Sequence, residues 1–177
     1  MTQADISVYQ LLASAVARFC LVLCLSSLLL LPGPATADLD SAVRAYEKGD
    51  FYTALHEFTR LAQADDVHAQ YNLAFMYYGG EGVVKDYTKA FHWFERAAKS
   101  GHKQAQDILG YMYNHGYGVQ ANRVRAYAWY FMATKNGIFL AAKIRDSLAF
   151  EMGKVERIQA DLLIEDYQTR YGHTSAR

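Results

Sequence analysis

The chain has 177 residues, with 18 Lys and Arg against 18 Asp and Glu, so its formal net charge is +0. A neutral chain has no basic excess to collect phosphates, which excludes nucleic acid as an expected partner. With 2 prolines the composition suits helices, and with both cysteines, Cys20 and Cys24, near the N-terminus, the rest of the chain has no disulfide framework.

Residues 1–37 read as a secretory signal peptide. Arg18 precedes an apolar run over 19–31, Pro32-Gly33-Pro34 breaks it, and Ala35-Thr36-Ala37 offers the small residues that a signal peptidase needs. The run is short for a membrane span, which takes about 20 residues. An uncleaved anchor would have to extend back through Ile6 to Ala17, with Arg18 inside the bilayer at a cost of about 2.5–3.5 kcal/mol. Lipidation at Cys24 is disfavoured by the bulky Leu23 before it. Cleavage is therefore expected after Ala37, with a periplasmic or secreted product. A membrane is expected as partner only through the signal segment if it stays uncleaved.

The folded part, 38–177, opens with a short unit over 39–66. A first helix at about Leu39 to Lys48 stops at Gly49. Asp50-Phe51-Tyr52-Thr53-Ala54-Leu55-His56-Glu57-Phe58 then opens a second helix. That segment matches Asp86 to Phe94 at an offset of 36, and Ala62 matches Ala98 at the same offset.

Two full repeats follow, 67–102 and 103–138. Ala69-Gln70-Tyr71-Asn72-Leu73-Ala74-Phe75-Met76-Tyr77 returns as Ala105-Gln106-Asp107-Ile108-Leu109-Gly110-Tyr111-Met112-Tyr113. Gly80-Glu81-Gly82-Val83 returns as Gly116-Tyr117-Gly118-Val119, and Lys89-Ala90-Phe91-His92-Trp93-Phe94 as Arg125-Ala126-Tyr127-Ala128-Trp129-Tyr130. Gly101 returns as Gly137. In the first repeat, Ala69, Leu73, Met76 and Tyr77 form one helical stripe. Gly79, Gly80 and Gly82 stop that helix, and Asp86 caps the next. Ala90, Trp93, Phe94, Ala97 and Ala98 form the second stripe. The alanines let helices approach, the two tryptophans fill the space between them, and Gly110 avoids a collision with the facing helix. A fixed period of this length implies stacked units, none of which can bury its apolar face alone.

A last unit spans 139–173. Ala141 to Glu151 reads as its first helix, Gly153 as a stop, and Lys154 to Tyr171 as a closing helix. That helix is expected to bury Val155, Ile158, Leu162, Leu163 and Tyr167, and to show Lys154, Glu156, Arg157, Asp161, Glu165 and Asp166 outward as a polar cap. The expected fold is all-α, a solenoid of stacked helical hairpins with about 3 to 4 units including caps.

Leu-Gly or Leu-Ala, then Met-Tyr, Gly-x-Gly-Val, Lys/Arg-Ala-x-x-Trp, a small pair and Gly together resemble the Sel-one-like repeat, a relative of the tetratricopeptide repeat. The resemblance covers about residues 39–171, and Arg145-Asp146-Ser147-Leu148-Ala149 is similar to the closing unit of that family. It implies a right-handed α/α solenoid, non-enzymatic, that holds another protein in a concave groove, often after export. Ala74 departs from the usual Gly, and the first unit lacks the glycine loop.

Other motifs point to less. Ser100-Gly101-His102-Lys103 fits the Ser-x-x-Lys of penicillin-recognising enzymes, but it spans the turn between repeats and has no Lys-Thr-Gly or Ser-Asp-Asn companion. A cell-wall or β-lactam-related hydrolase is the second reading, and a structural spacer or self-associating module the third. The glycine pairs are not phosphate cradles, since no Lys-Ser/Thr follows them. Of the histidines, His56, His68, His92, His102, His115 and His173, no two form a His-x-x-x-His pair, and no metal or other cofactor is expected.

The informative positions are those where the repeat departs from itself. Tyr71, Phe75 and Tyr78 share a face of the first helix that geometry places on the concave side. Asp107, Tyr111 and Asn114 follow one repeat on, then Lys143, Ser147 and Phe150, with His68 and Gln104 just ahead. Aromatic rings offer large contact area for little entropy loss. A peptide or protein segment in the cell envelope is the expected ligand, unless neighbouring elements cover these rings.

Overall fold

The computed structural model describes residues 39–172. The signal segment, its cleavage point, both cysteines and His173 lie outside the described residues.

Eight helices and no strand occur among the described residues: α1 Leu39–Glu47, α2 Phe51–Gln63, α3 Val67–Gly79, α4 Tyr87–Lys99, α5 Lys103–His115, α6 Arg123–Lys135, α7 Phe139–Glu151 and α8 Lys154–Tyr171. The order of packing follows the chain, each of α1 to α7 lying against its neighbour. The chain departs from this order at the end, where α8 packs on α6.

The 36-residue period reappears in the backbone. Asp50, Asp86 and Asn122 stand one period apart and each caps a second helix, the side chain accepting from the backbone N–H of Thr53, of Thr88 and Lys89, and of Arg125. Gly80 and Gly116 adopt the left-handed conformation, and their N–H groups donate to Met76 and Met112 carbonyls at 2.8 Å each. The Asp86 and Asn122 N–H groups close the two loops onto Tyr77 and Tyr113 carbonyls.

The second glycine of each loop has a different task. A Cβ on Gly82 would lie 2.6 Å from Phe51 Cβ, and a Cβ on Gly118 would lie 2.0 Å from the Tyr87 carbonyl oxygen. Phe51 and Tyr87 are themselves one period apart and open α2 and α4. Each glycine loop is therefore pressed against the start of the second helix of the preceding unit, and that contact sets the stacking. Gly110 is confirmed as a clearance residue: a Cβ there would meet the Tyr130 ring at 3.0 Å.

The core runs through every described unit. Ala42, Ala54, Phe58, Ala62, Ala69, Leu73 and Met76 form its first part, and Ala74, Phe94, Leu109, Met112, Trp129, Tyr130, Ile164 and Tyr167 belong to its second. Trp93 and Tyr77 pack against both parts. Trp129 is fully buried, under Tyr167 and Tyr171 of α8. Trp93, its counterpart, is half-buried, with the Arg96 guanidinium over its ring at 4.8 Å.

Two buried glutamines, not singled out by the sequence pattern, hold the junctions between units. Gln70 Nε2 donates to the Ala62 carbonyl at 3.3 Å, and Gln106 Nε2 donates to the equivalent Ala98 carbonyl at 3.1 Å. The Gln106 Oε1 accepts from Asn136 Nδ2 at 2.8 Å, whereas Gln70 Oε1 is buried without a partner. The residue at the Asn136 position one period earlier is Ser100, with the same cap conformation but too short a side chain. Ser100→Asn is therefore expected to raise stability by about 1 kcal/mol, and Asn136→Ser to lower it by about 1–3 kcal/mol, read from urea midpoints. An unchanged midpoint in both would refute the junction role.

One expectation is corrected at the C-terminal end. Val155, Ile158 and Leu162 are not buried: they are 68%, 53% and 63% exposed, and Leu163 is intermediate. The buried line is Ala160, Ile164 and Tyr167, continued by the half-buried Tyr171. Its spacing of i, i+4, i+7, i+11 is as regular as the expected one. What selects it is Trp129, which takes Tyr167 and Tyr171 against its ring at 4.5 and 5.9 Å, while Ala160 keeps α8 close to α6. Gly153 also serves differently: it is the N-cap of α8, with its N–H donating to Glu156 Oε2 at 3.0 Å.

Candidate binding site

The first helices of the two repeats, α3 and α5, carry the eight residues singled out by the sequence. His68 and Gln104 are exposed, Tyr111 is 37% exposed, and Tyr71, Phe75, Tyr78, Asp107 and Asn114 are half-buried. The arrangement differs between the two ends of the face.

At the N-terminal end of α3 the aromatics are packed on one another. Tyr71 lies edge-on to Phe75 at 4.8 Å, both rings meet the buried Phe94 at 5.9 and 5.0 Å, and Phe75 also borders a small recess with Tyr46, Phe58 and Asn72. Tyr71 is stacked by His102 at 4.2 Å, and His68 meets the same imidazole edge-on at 5.2 Å. The ring that covers Tyr71 thus comes from the last residue of the same repeat, at the entrance to α5.

His102, part of the Ser-x-x-Lys pattern and one of the six histidines, has another use. It is the N-cap of α5, and its Nδ1 accepts from the Ala105 N–H at 3.2 Å. Burial, then the neighbouring His68 and Lys103, push its pKa down to about 4. A cap that accepts through Nδ1 must be unprotonated there. The folded state therefore resists a proton that the unfolded chain takes up at about pH 6.5. The stability that His102 contributes is full above pH 6.5 and falls as pH drops toward 4. Replacement by Asn, which caps without titrating, is expected to flatten the urea midpoint between pH 6.5 and 4, and an unchanged slope would refute this.

Toward the C-terminal end of the same helices, the tyrosines form a more open group. Tyr78 contacts Tyr87 at 5.1 Å, Tyr87 stacks on Tyr117 at 5.0 Å, and Tyr117 stacks in turn near His115 at 5.8 Å. Tyr111 lies 4.1 Å from His115 and 5.7 Å from Tyr117. The Tyr78 hydroxyl is pushed up by burial and then by the adjacent phenols of Tyr111, Tyr87 and Tyr117. Position 117 is Glu81 one repeat earlier, where the carboxylate instead accepts from the Tyr46 hydroxyl. The aromatic group thus depends on Tyr117 in the second glycine loop and is not a feature of every repeat.

Between these ends lies Asp107. Its carboxyl is half-buried, is pushed above the usual carboxylate range by burial, and has no hydrogen bond or ion pair among the described residues. The hydroxyl of Tyr130 on α6, a scaffold position by its register, is pushed up by burial and then by the charge of Asp107 and by Tyr111. The register comparison carries the signal that identifies it: a buried phenylalanine, Phe94, becomes a buried tyrosine one period later.

The other motifs do not assemble into a site. Ser100 is the exposed C-cap of α4, and its hydroxyl has no hydrogen bond with Lys103, the first residue of α5. His92 is exposed, and Glu95 pairs with Lys99 at 3.0 Å. No three His, Cys, Asp or Glu residues among the described ones are placed to hold a metal, and no helix among them is long and apolar enough to cross a membrane.

Stacked helical hairpins with a period kept in caps, loops and core define an all-α helical repeat protein. The particular repeat is the Sel1 repeat, whose family profile matches residues 67–102 and 103–138; the chain carries two Sel1 repeats. Such repeats are in general non-enzymatic scaffolds for protein–protein interaction. Among solved structures, the chain is similar to c5321, a protective antigen present in uropathogenic Escherichia coli strains and displaying an SLR fold. The identity is 29%, the TM-score 0.72, and the match covers 78% of this chain and 31% of that one. A Sel1 repeat protein from Oxalobacter formigenes shares the fold at 24% identity and a TM-score of 0.56, over 68% of this chain and 52% of that one. The chain thus spans less than two thirds of either protein. No curated protein matches it.

Proposed function

We propose that this is an exported, non-enzymatic binding protein that holds a segment of another cell-envelope protein against the concave face formed by α3 and α5. The observation that carries the reading is the tyrosine group of Tyr78, Tyr87, Tyr111 and Tyr117, which is drawn from both repeats, is incompletely buried and does not recur one period earlier, where the same positions hold Ala42, Phe51, Phe75 and Glu81. Scaffold positions recur because stacking demands them. A solvent-facing aromatic cluster that breaks the period has no such structural demand, and aromatic side chains dominate interface energetics. With two full repeats and two partial ones the face is short, and it suits one small partner or one segment of a larger one.

The test is capture of envelope proteins by the purified protein, by Tyr78→Ala and by Tyr111→Ala. Hot-spot truncation costs more than 1 kcal/mol, so each variant should retain its helicity and lose about tenfold or more in capture. Undiminished capture by both would refute the groove. The export reading rests on Arg18, the apolar run over 19–31 and Ala35-Thr36-Ala37. Intact-mass analysis of the protein from the envelope fraction should give a chain beginning at Asp38, and a chain retaining residues 1–37 would refute cleavage.

A further inference from the structure

A helix that closes a solenoid needs a polar outer face, and α8 does not have one. Its buried line of Ala160, Ile164 and Tyr167 is turned to α6. Val155, Ile158 and Leu162 lie on the opposite side of the same helix. Their spacing of i, i+3 and i+7 makes one continuous stripe at about 3.6 residues per turn. Each of the three is more than half exposed. Of the ten large apolar residues that stand exposed among the described ones, three are these and four more are on α7. Apolar surface is therefore concentrated on the last two helices, and α8 is apolar on two opposite sides.

Charge is ordered along one flank of the stripe. Lys154, Arg157, Asp161 and Glu165 follow one another at i, i+3, i+7 and i+11, two basic residues and then two acidic ones. All four are exposed, and none is in an ion pair among the described residues. The other flank carries Gln159 with Asp166 and Arg170, which answer each other at 2.7 Å.

We propose that this face of α8 pairs with the same face of a second copy of the chain, antiparallel, about a two-fold axis at the level of Gln159. In a pair of this kind each flank meets its own copy reversed. Lys154 then stands opposite Glu165 of the second copy, Arg157 opposite Asp161, and Val155 opposite Leu162, with Ile158 meeting itself near the axis. The midpoints of these pairings are 159.5, 159 and 158.5, so one register serves the apolar stripe and both charge pairs. A parallel pair would set the charged flank against Gln159 and the already paired Asp166 and Arg170, and the four charges would gain no partners. Charge order on a flank thus selects both the second copy as occupant and its direction. Three apolar side chains per copy fall short of the roughly 800 Å² per partner of a standard stable interface, so the pair forms weakly, with a Kd of about 10–100 μM. The eight residues of the α3 and α5 face take no part, and the pairing does not depend on what that face holds.

The test is sedimentation equilibrium of the purified protein from about 5 to 300 μM at low salt, where exposed charges are least screened. The protein should pass from monomer to dimer over this range. Ile158→Glu, a change at a half-exposed residue outside the core, should weaken the pair about tenfold or more. Lys154→Glu and Glu165→Lys both suit the helix dipole and should keep α8 folded. Each alone sets like charges opposite each other twice and should weaken the pair about threefold or more. Mixed in equal amounts, the two variants should recover the strength of the unsubstituted protein, because every junction then joins opposite charges. A protein that stays monomeric up to about 300 μM would overturn the proposal and leave the stripe to another occupant. Undiminished association of Ile158→Glu, or a mixture no stronger than either charge variant alone, would overturn it as well. The charge variants keep the test open even if Ile158→Glu folds poorly.

Discussion

Gly118→Ala is expected to destabilise the protein by about 4 kcal/mol, the sum of about 1–2 kcal/mol for a non-glycine residue in the left-handed region and up to about 3 kcal/mol for overpacking. Gly118 sits at φ 69°, and a Cβ there would stand 2.0 Å from a backbone oxygen, that of Tyr87, which cannot rotate away as a side-chain tip could. Gly116 provides the control. Its φ of 74° is almost the same, but its nearest obstacle is at 3.5 Å, so alanine there is expected to cost only the strain of about 1–2 kcal/mol. The two residues belong to one loop and differ in what they face. Urea unfolding of both variants therefore isolates the contact between units from backbone strain. Equal losses would mean that the glycine loop is needed for its turn alone and does not set the stacking.

Trp129→Ala should cost about 3–5 kcal/mol, the range for truncating a buried tryptophan. The residue is fully buried and takes Tyr167 and Tyr171 of α8 against its ring. Its removal takes away the surface on which the last helix rests, so trypsin cleavage after Arg157 in α8 should accelerate before the rest of the protein unfolds. Trp93→Ala, the same change one period earlier, opens a half-exposed site beneath Arg96 and should cost well under the Trp129 value. Equal losses at the two sites, with α8 no more sensitive to trypsin, would show that the last helix does not depend on this contact.

The legible part of the molecule is the part that repeats. Helix order, glycine stops and the clearance at Gly110 all follow from laying residues 67–102 on 103–138, because local backbone needs recur wherever the unit recurs. The closing helix was less legible for the same reason. Val155, Ile158 and Leu162 and the line Ala160, Ile164, Tyr167 are both regular on α8, and only the position of Trp129, on another helix, selects between them. His102 escaped notice as a cap because its role depends on one hydrogen bond from Ala105, and Asp66, an ordinary capping residue, does the same work one period earlier. Asp65 holds a left-handed position, φ 64°, where the later units place Gly101 and Gly137, so the first turn between units was hidden by a residue that carries no glycine signal.

For the candidate site, the sequence put the eight residues on the first helices of the two repeats, where the structure also has them, and pointed to the positions that break the period. It did not show that Tyr71 and Phe75 lean on Phe94 and that Tyr71 lies partly under His102, whereas Tyr111 stays open. Nor did it place the Tyr130 ring against Gly110. That neighbourhood arises from a single missing Cβ at Gly110, which changes where a ring on another helix lies. Such an effect passes between helices and leaves no trace in the periodicity of either one.

The central claim is that partner recognition belongs to the face where the repeat departs from itself. A photoreactive phenylalanine analogue placed at Tyr111, and separately at Tyr52, which is 83% exposed on α2, tests it most directly. After irradiation in envelope extract, the protein should form a discrete protein adduct from position 111 and none from position 52. The same adduct from both positions, or an adduct from position 52 alone, would contradict the assignment of binding to the α3 and α5 face.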